Sequence, residues 1–242
     1  LCEKSITLNS NELDKGMAIA KEKGLEPLAI EILLQDSKFN PNNSSEKYVN
    51  AEKGVYTVED AINGAKDIIA EQISDNSKIR KTIRKMLNNY GTVVSVASDK
   101  DKDSVYRSYY EYSEPVKKIA DHRLLAINRG EKDGFLKVSI QCDDEKFIEY
   151  INNETINYKN DLCTDIIKEA GADAYQRLIF PSIEREIRSA LTENACENSM
   201  KVFAINLKQL LMQPPVKGKT VLGLDPGYRT GCKVAVVDET GK

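Results

Sequence analysis

The stretch from Ser182 to Leu211 constrains this chain most. Apolar residues recur there at Ile183, Ile187, Ala190, Leu191, Ala195, Val202, Phe203, Leu207, Leu210 and Leu211. The spacing follows the helical period for about 30 residues, a rod ~45 Å long. A helix of that length organises shorter helices around it, so a mainly α scaffold is expected. Gln213-Pro214-Pro215 stops the rod, because proline lacks an N–H and stiffens the chain beyond it. A preceding helix opening on Leu162, Ile166 and Ile167 is expected to break near Phe180-Pro181.

Upstream, the pattern again favours helices. Met17, Ile19 and Ala20 lead to Gly24, a helix-ending residue type. Pro27 sits near the start of a helix carrying Leu28, Ile30, Leu33 and Leu34. Asn40 to Ser45 is polar enough for a loop. Thr57 with Asp60 three residues on is a capping pair, and Ala61, Ala65, Ile68, Ile69 and Ile73 follow on one face. Ser77 is expected to cap a helix from Lys78 to Asn89, ended by Gly91. Thr92 to Ala97 suits a strand or a helix tail, and Pro115 breaks the element that holds Tyr106, Tyr109, Tyr110 and Tyr112. Asp121 is expected to cap a helix through Asn128, with a turn from Gly130 to Gly134. Phe135 to Ile140 alternates as a strand does, and Lys146 to Ile151 fits a short helix.

Composition narrows the functional classes. The 242 residues hold 35 Lys and Arg against 38 Asp and Glu, a formal charge of −3. A strongly basic nucleic-acid-binding chain is excluded, so any phosphate contact must come from a local patch. No apolar run approaches the ~20 residues of a membrane helix. Five cysteines without Cys-x-x-Cys spacing point to reduced thiols and a cytoplasmic setting, not to a disulfide framework or a zinc site. No signal peptide is evident, and the stop after a strand and turn suggests a piece of something longer. No cofactor is expected.

Four features could carry chemistry. Lys78, Arg80, Lys81, Arg84 and Lys85 fall within two helical turns, opposite Ile79, Ile83, Met86 and Leu87. They form a candidate phosphate-contact face or, equally in kind, a solvated helix surface. The four tyrosines at 106–112 could stack bases or line a half-buried element. Lone His122 has no second histidine to share a metal. Gly218-Lys219-Thr220 lacks the earlier glycine of a phosphate-binding loop and precedes a strand where such a loop follows one.

The sharpest motif is Gly223-Leu224-Asp225-Pro226-Gly227-Tyr228-Arg229-Thr230-Gly231, an acid ending one strand and a tight turn into the next, Cys232 to Val237. This is the layout of the first hairpin of an RNase H-like fold, where several carboxylates together bind Mg²⁺. Asp225 is then either a first metal ligand or a turn residue.

Longer strings carry a resemblance. They are Glu22 to Ala29, Tyr110 to Ile119, His122-Arg123, Ala126 to Gly134 with Arg129, Arg177 to Ile179, Pro181 to Arg188 with Glu184 and Arg185, and Val221 to Lys233 with Asp225, Gly227 and Arg229. In this order they resemble the bacterial Tex family of transcription accessory proteins over nearly the whole chain. The resemblance implies a cytosolic multidomain factor. Its opening portion is a multi-helical, helix-turn-helix-like scaffold with a long central helix, followed by a YqgF-type RNase H-like domain. RNA or single-stranded DNA binding is expected mainly from further C-terminal modules, and transcription machinery is a further expected partner. On that pattern residues 1–213 form the helical domain, 214–219 a linker, and 220–242 the opening hairpin of the RNase H-like domain. The family usually carries a Tyr/Pro/Lys/Arg-rich segment where Lys15 here meets Gly16, so residues are expected to be missing at that joint. The leading function is a non-enzymatic scaffold of a nucleic-acid-associated factor. A metal-dependent nuclease using Asp225 and a protein-docking scaffold are the alternatives.

Overall fold

A computed structural model describes residues 18–157, 160–214, 216–228 and 231–242. The Lys15–Gly16 joint and Arg229 lie outside the described residues. The chain divides into two compact units, Leu1–Asn194 and Ala195–Lys242.

In the first unit a helical turn at 18–22 precedes α1 (Glu26–Leu34), with Gly24 at φ +80° between them. The helix α2 (Pro41–Ser45) stands where a loop was expected. Asn40 makes it: its side chain accepts from the Asn42 and Asn43 N–H groups, and Pro41 is preset for the first helical position. The long α3 (Val58–Asp75) opens on the expected capping box between Thr57 and Asp60. The next helix, α4 (Ser77–Tyr90), is capped by Asn76 and not by Ser77. The Asn76 side chain accepts from Lys78 and Ile79 N–H, leaving Ser77 as the first helical residue.

Thr92–Ala97 is a strand, β1, at the centre of a three-stranded antiparallel sheet. It lies between β2 (Glu111–Pro115) and β3 (Leu136–Gln141). Between those two, α5 (Asp121–Lys132) starts after Ala120, and Asp121 is its first residue. It runs past Asn128 and takes in Gly130, contrary to the expected turn. A Cβ on Gly130 would stand 2.5 Å from Leu136 Cδ1 and 3.1 Å from Tyr106 Cδ1, so the glycine permits close packing. The turn comes later, at Gly134 with φ +80°. Helix α6 (Asp144–Thr155) is longer than expected at both ends.

No break occurs at Phe180-Pro181. Helix α7 (Asp161–Asp173) runs through a π turn, Ala174–Ile179, into α8 (Phe180–Leu211). Phe180 N–H bonds Tyr175 C=O, five residues back. The wider turn gives the carbonyl that a proline ring would crowd room to move aside, so Pro181 sits inside a continuous helix.

Helices α1, α3, α4, α7 and the start of α8 bury one core, including Leu28, Ile32, Ile68, Ile69, Ile79, Ile83, Leu87, Ile167, Ile179 and Ile183. Polar side chains pin its loops. Buried Gln35, at φ +49°, donates to Thr155 C=O and accepts from Asn157 N–H, both at 2.9 Å. Asn160 caps α7 and also donates to the Asp36 and Phe39 carbonyls.

In the second unit, β4 (Val221–Pro226) and β5 (Cys232–Val237) form the expected antiparallel hairpin. Over the same unit α8 leaves Met200, Val202, Phe203, Ile205 and Leu210 exposed.

Candidate nucleic-acid interface

Helix α4 carries Lys78, Arg80, Lys81, Arg84 and Lys85 and no Asp or Glu. Lys78 and Arg80 lie in its first turn, the end where the helix dipole already presents positive charge. Cations there raise the local potential and do nothing for the helix itself.

Neighbouring helices neutralise part of this charge. Lys78 Nζ bonds Glu154 of α6 at 2.6 Å. Arg84 meets Glu186 of α8 with two nitrogens: Nη2 donates at 2.9 Å, while Nε lies 2.7 Å from Oε1 without forming a hydrogen bond. Arg80 is held only by neutral oxygens, Ser182 Oγ at 2.7 Å and Ser74 C=O at 3.4 Å. Lys81 and Lys85 are exposed and make no hydrogen bond or ion pair with the described residues. The contacts 80 to 182 and 84 to 186 set α4 and α8 side by side and parallel. Exposed Arg185 stands next to that seam, its Nε on Pro181 C=O at 3.0 Å. The row is thus partly a stitch between helices and partly an uncompensated surface of Arg80, Lys81, Lys85 and Arg185.

The other tyrosine and family-string residues sort differently. Tyr106 donates to Asp133 at 2.6 Å and packs on Phe135. Tyr110 donates to Ser104 Oγ, and Tyr109 sets its edge on Tyr112. These rings are engaged inside the fold and are not a base-stacking platform. Arg123 Nη1 bonds Glu114 Oε1 at 3.2 Å, and the Tyr112 hydroxyl is the largest cause holding the Glu114 carboxyl below its ordinary range. Glu131 pairs with Arg188, and Asn128 donates to Thr192. Glu184 accepts from Ile140 N–H at the sheet edge. The side chains of His122 and Arg129 are exposed on α5 and make no hydrogen bond with the described residues. Asp225 is exposed on β4, opposite Lys233 in the strand register, and Gly227 N–H closes the hairpin turn on Gly231 C=O. Among the described residues no group of three or more His, Cys, Asp or Glu side chains could hold a metal ion.

One polar cluster escaped the sequence reading. Tyr175, buried on the π turn, donates to Asp144 Oδ1 at 2.7 Å, with Cys142 Sγ 3.4 Å from both atoms. Burial pushes the Cys142 thiol up to about 11, so it stays protonated and is a poor nucleophile near neutral pH. Tyr175 lies 31 positions after Asp144 and 33 after Cys142, and only the fold brings it to them.

Comparison with known proteins decides the family. The "Tex central region-like" family model matches residues 36–203, more than half of the chain. This chain belongs to the Tex family. The "Tex protein YqgF-like domain" model matches residues 219–242. Among the relatives, the YdcI protein of Bacillus subtilis (strain 168) is 49% identical over 227 residues, covering 93% of this chain and 32% of its own length. Protein tex of Bordetella pertussis is 34% identical over 240 residues, covering 93% and 30%. The transcriptional accessory protein Tex of Neisseria gonorrhoeae is 33% identical over 231 residues, again covering 93% and 30%. The chain therefore spans about a third of the length of these curated relatives. No described helix is long and apolar enough to cross a membrane.

Proposed function

We propose that this chain is the non-catalytic helical scaffold of a Tex-type transcription accessory factor, and that it touches nucleic-acid phosphates through α4. The observation that carries the reading is the charge on α4: five cations and no carboxylate, with only Glu154 and Glu186 among the described residues reaching in to pair. Uncompensated Arg80, Lys81 and Lys85, with Arg185 beside them, suit a phosphate backbone and carry no base-specific readout. The main RNA or single-stranded DNA grip is assigned to modules of the longer protein, and docking to transcription machinery belongs to that whole assembly.

Binding of a labelled single-stranded RNA across a salt series tests this. Lys81→Ala/Lys85→Ala should flatten the slope of log K against log salt by about 1.4, two cations at ~0.7 each. A slope identical to that of the native chain would refute the α4 assignment. The scaffold reading gives Asp225 no chemistry. Mg²⁺-dependent cleavage by the longer protein that disappears in Asp225→Asn would replace it with the nuclease reading.

A further inference from the structure

The geometry points to a phosphate track that leaves α4 sideways, crosses α8 at Arg185 and Ser189, and ends on Arg129 and Lys132 of α5. Its ligand is a nucleic-acid backbone lying across three helices. This rests on the nucleic-acid reading above and names the course of that ligand.

The contacts of each helix fix which side stays open. In α4, Ile79, Ile83 and Leu87 enter the core, Arg80 and Arg84 meet α8, and Lys78 and Thr82 meet α6. Lys81 and Lys85 occupy the remaining side, one turn apart. In α8, Ile183 and Ile187 enter the core, Ser182 and Glu186 meet α4, and Arg188 and Thr192 meet α5. Exposed Arg185 and Ser189 remain. In α5, Leu124 and Ile127 are buried, while Asn128 and Glu131 meet α8. That leaves exposed Arg129 and Lys132, whose side chains make no hydrogen bond or ion pair with the described residues. With α5 antiparallel to the other two, the right-handed winding of the helices turns all three open sides to one outer surface.

The same contacts set the level of each residue. Arg80 and Arg84 lie beside Ser182 and Glu186, while Asn128 and Glu131 lie beside Thr192 and Arg188. Lys85 and Lys132 therefore both come level with Ile187, two interaxial spacings or ~16–20 Å apart. Arg185 and Ser189 fill the space between them, and the Ser189 hydroxyl can donate to a phosphate. The nearby carboxylates are engaged, Glu186 on Arg84, Glu131 on Arg188 and Glu184 on the Ile140 N–H. Exposed Asp133, which accepts from Tyr106, and exposed Glu193 bound the track. At ~3.4 Å per nucleotide the span takes about five or six phosphates of a stacked strand.

A single-stranded RNA of about 12 nucleotides, longer than the track, titrated across a salt series tests this. Arg129→Ala/Lys132→Ala should flatten the slope of log K against log salt by about 1.4, and its combination with Lys81→Ala/Lys85→Ala by about 2.8, at ~0.7 per cation. Lys47→Ala/Lys53→Ala removes the same charge from exposed residues between α2 and α3 and should keep the native slope. Sedimentation should show one strand per chain. A native slope for either the α4 or the α5 pair overturns the inference, as does an equal loss in Lys47→Ala/Lys53→Ala or two strands per chain. If Lys81→Ala/Lys85→Ala flattens the slope and Arg129→Ala/Lys132→Ala does not, the phosphate-contact reading stands without the track. If neither does, or the native chain binds no RNA at low salt, both fall.

Discussion

The Glu184 carboxylate accepts the Ile140 N–H at 2.6 Å, and one turn along α8 Arg188 donates to the Val138 carbonyl at 3.2 Å. Ser98 N–H bonding Phe135 C=O sets the phase of β3, so that Val138 and Ile140 point their backbone groups away from β1. Two helix side chains thus fill the hydrogen-bonding positions of a fourth strand. Arg188 is braced in turn by Glu131 of α5. Glu184→Ala should destabilise the chain by about 1–3 kcal/mol in urea unfolding, because it orphans a backbone donor at the helix–sheet contact. Glu184→Gln keeps an acceptor and should lose less. Equal stability for Glu184→Ala and native protein would show that water replaces the carboxylate at no cost.

Gly130→Ala should cost about 1–3 kcal/mol by overpacking. The added methyl meets Leu136 on β3 and Tyr106. Leu136→Ala in the same chain should recover part of that loss, and a double mutant no more stable than the sum of the two singles would place the strain elsewhere.

Gln35 is buried in the left-handed region, and its amide holds two backbone groups near 155–157. Gln35→Ala should cost about 1–3 kcal/mol. Gln35→Gly loses the same bonds and fits the backbone angle better, so it should be the more stable of the two variants. The reverse order in thermal unfolding would mean that the backbone angle relaxes once the amide is gone.

The capping box predicts a pH effect. Asp60 is held below the ordinary carboxyl range, chiefly by its hydrogen bond with the Thr57 side chain. A carboxyl depressed in the folded state binds fewer protons there than in the unfolded chain. Its contribution is complete above the unfolded value of about 3.9 and is lost as pH falls through the folded one. Thr57→Ala should therefore cost about 1 kcal/mol near neutral pH and reduce the loss of stability below pH 4. Parallel acid limbs for variant and native protein would refute the linkage.

Much of this fold is legible locally. Thr57 with Asp60, and Ile79, Ile83 and Leu87 at helical spacing, announce α3 and α4 from residues a few positions apart. The misread places depend on distant partners or unusual turns. Gly130 looks like a turn until Leu136 and Tyr106 are seen packed against its bare Cα. Pro181 looks like a break until the π turn before it widens the helix. The five cations of α4 were visible as a row. Which of them are neutralised was not, because Glu154 and Glu186 arrive from 76 and 102 residues away.

The substitute strand supplied by Glu184 and Arg188 also bears on synthesis. These residues lie 44 and 50 positions after the backbone groups they satisfy. While a ribosome is still making that interval, β1, β2 and β3 can pair but one margin of the sheet stays open as a template for any passing strand. The scaffold is therefore most prone to misassociation during the time taken to translate α6 and α7, and the emergence of Arg188 ends that exposure.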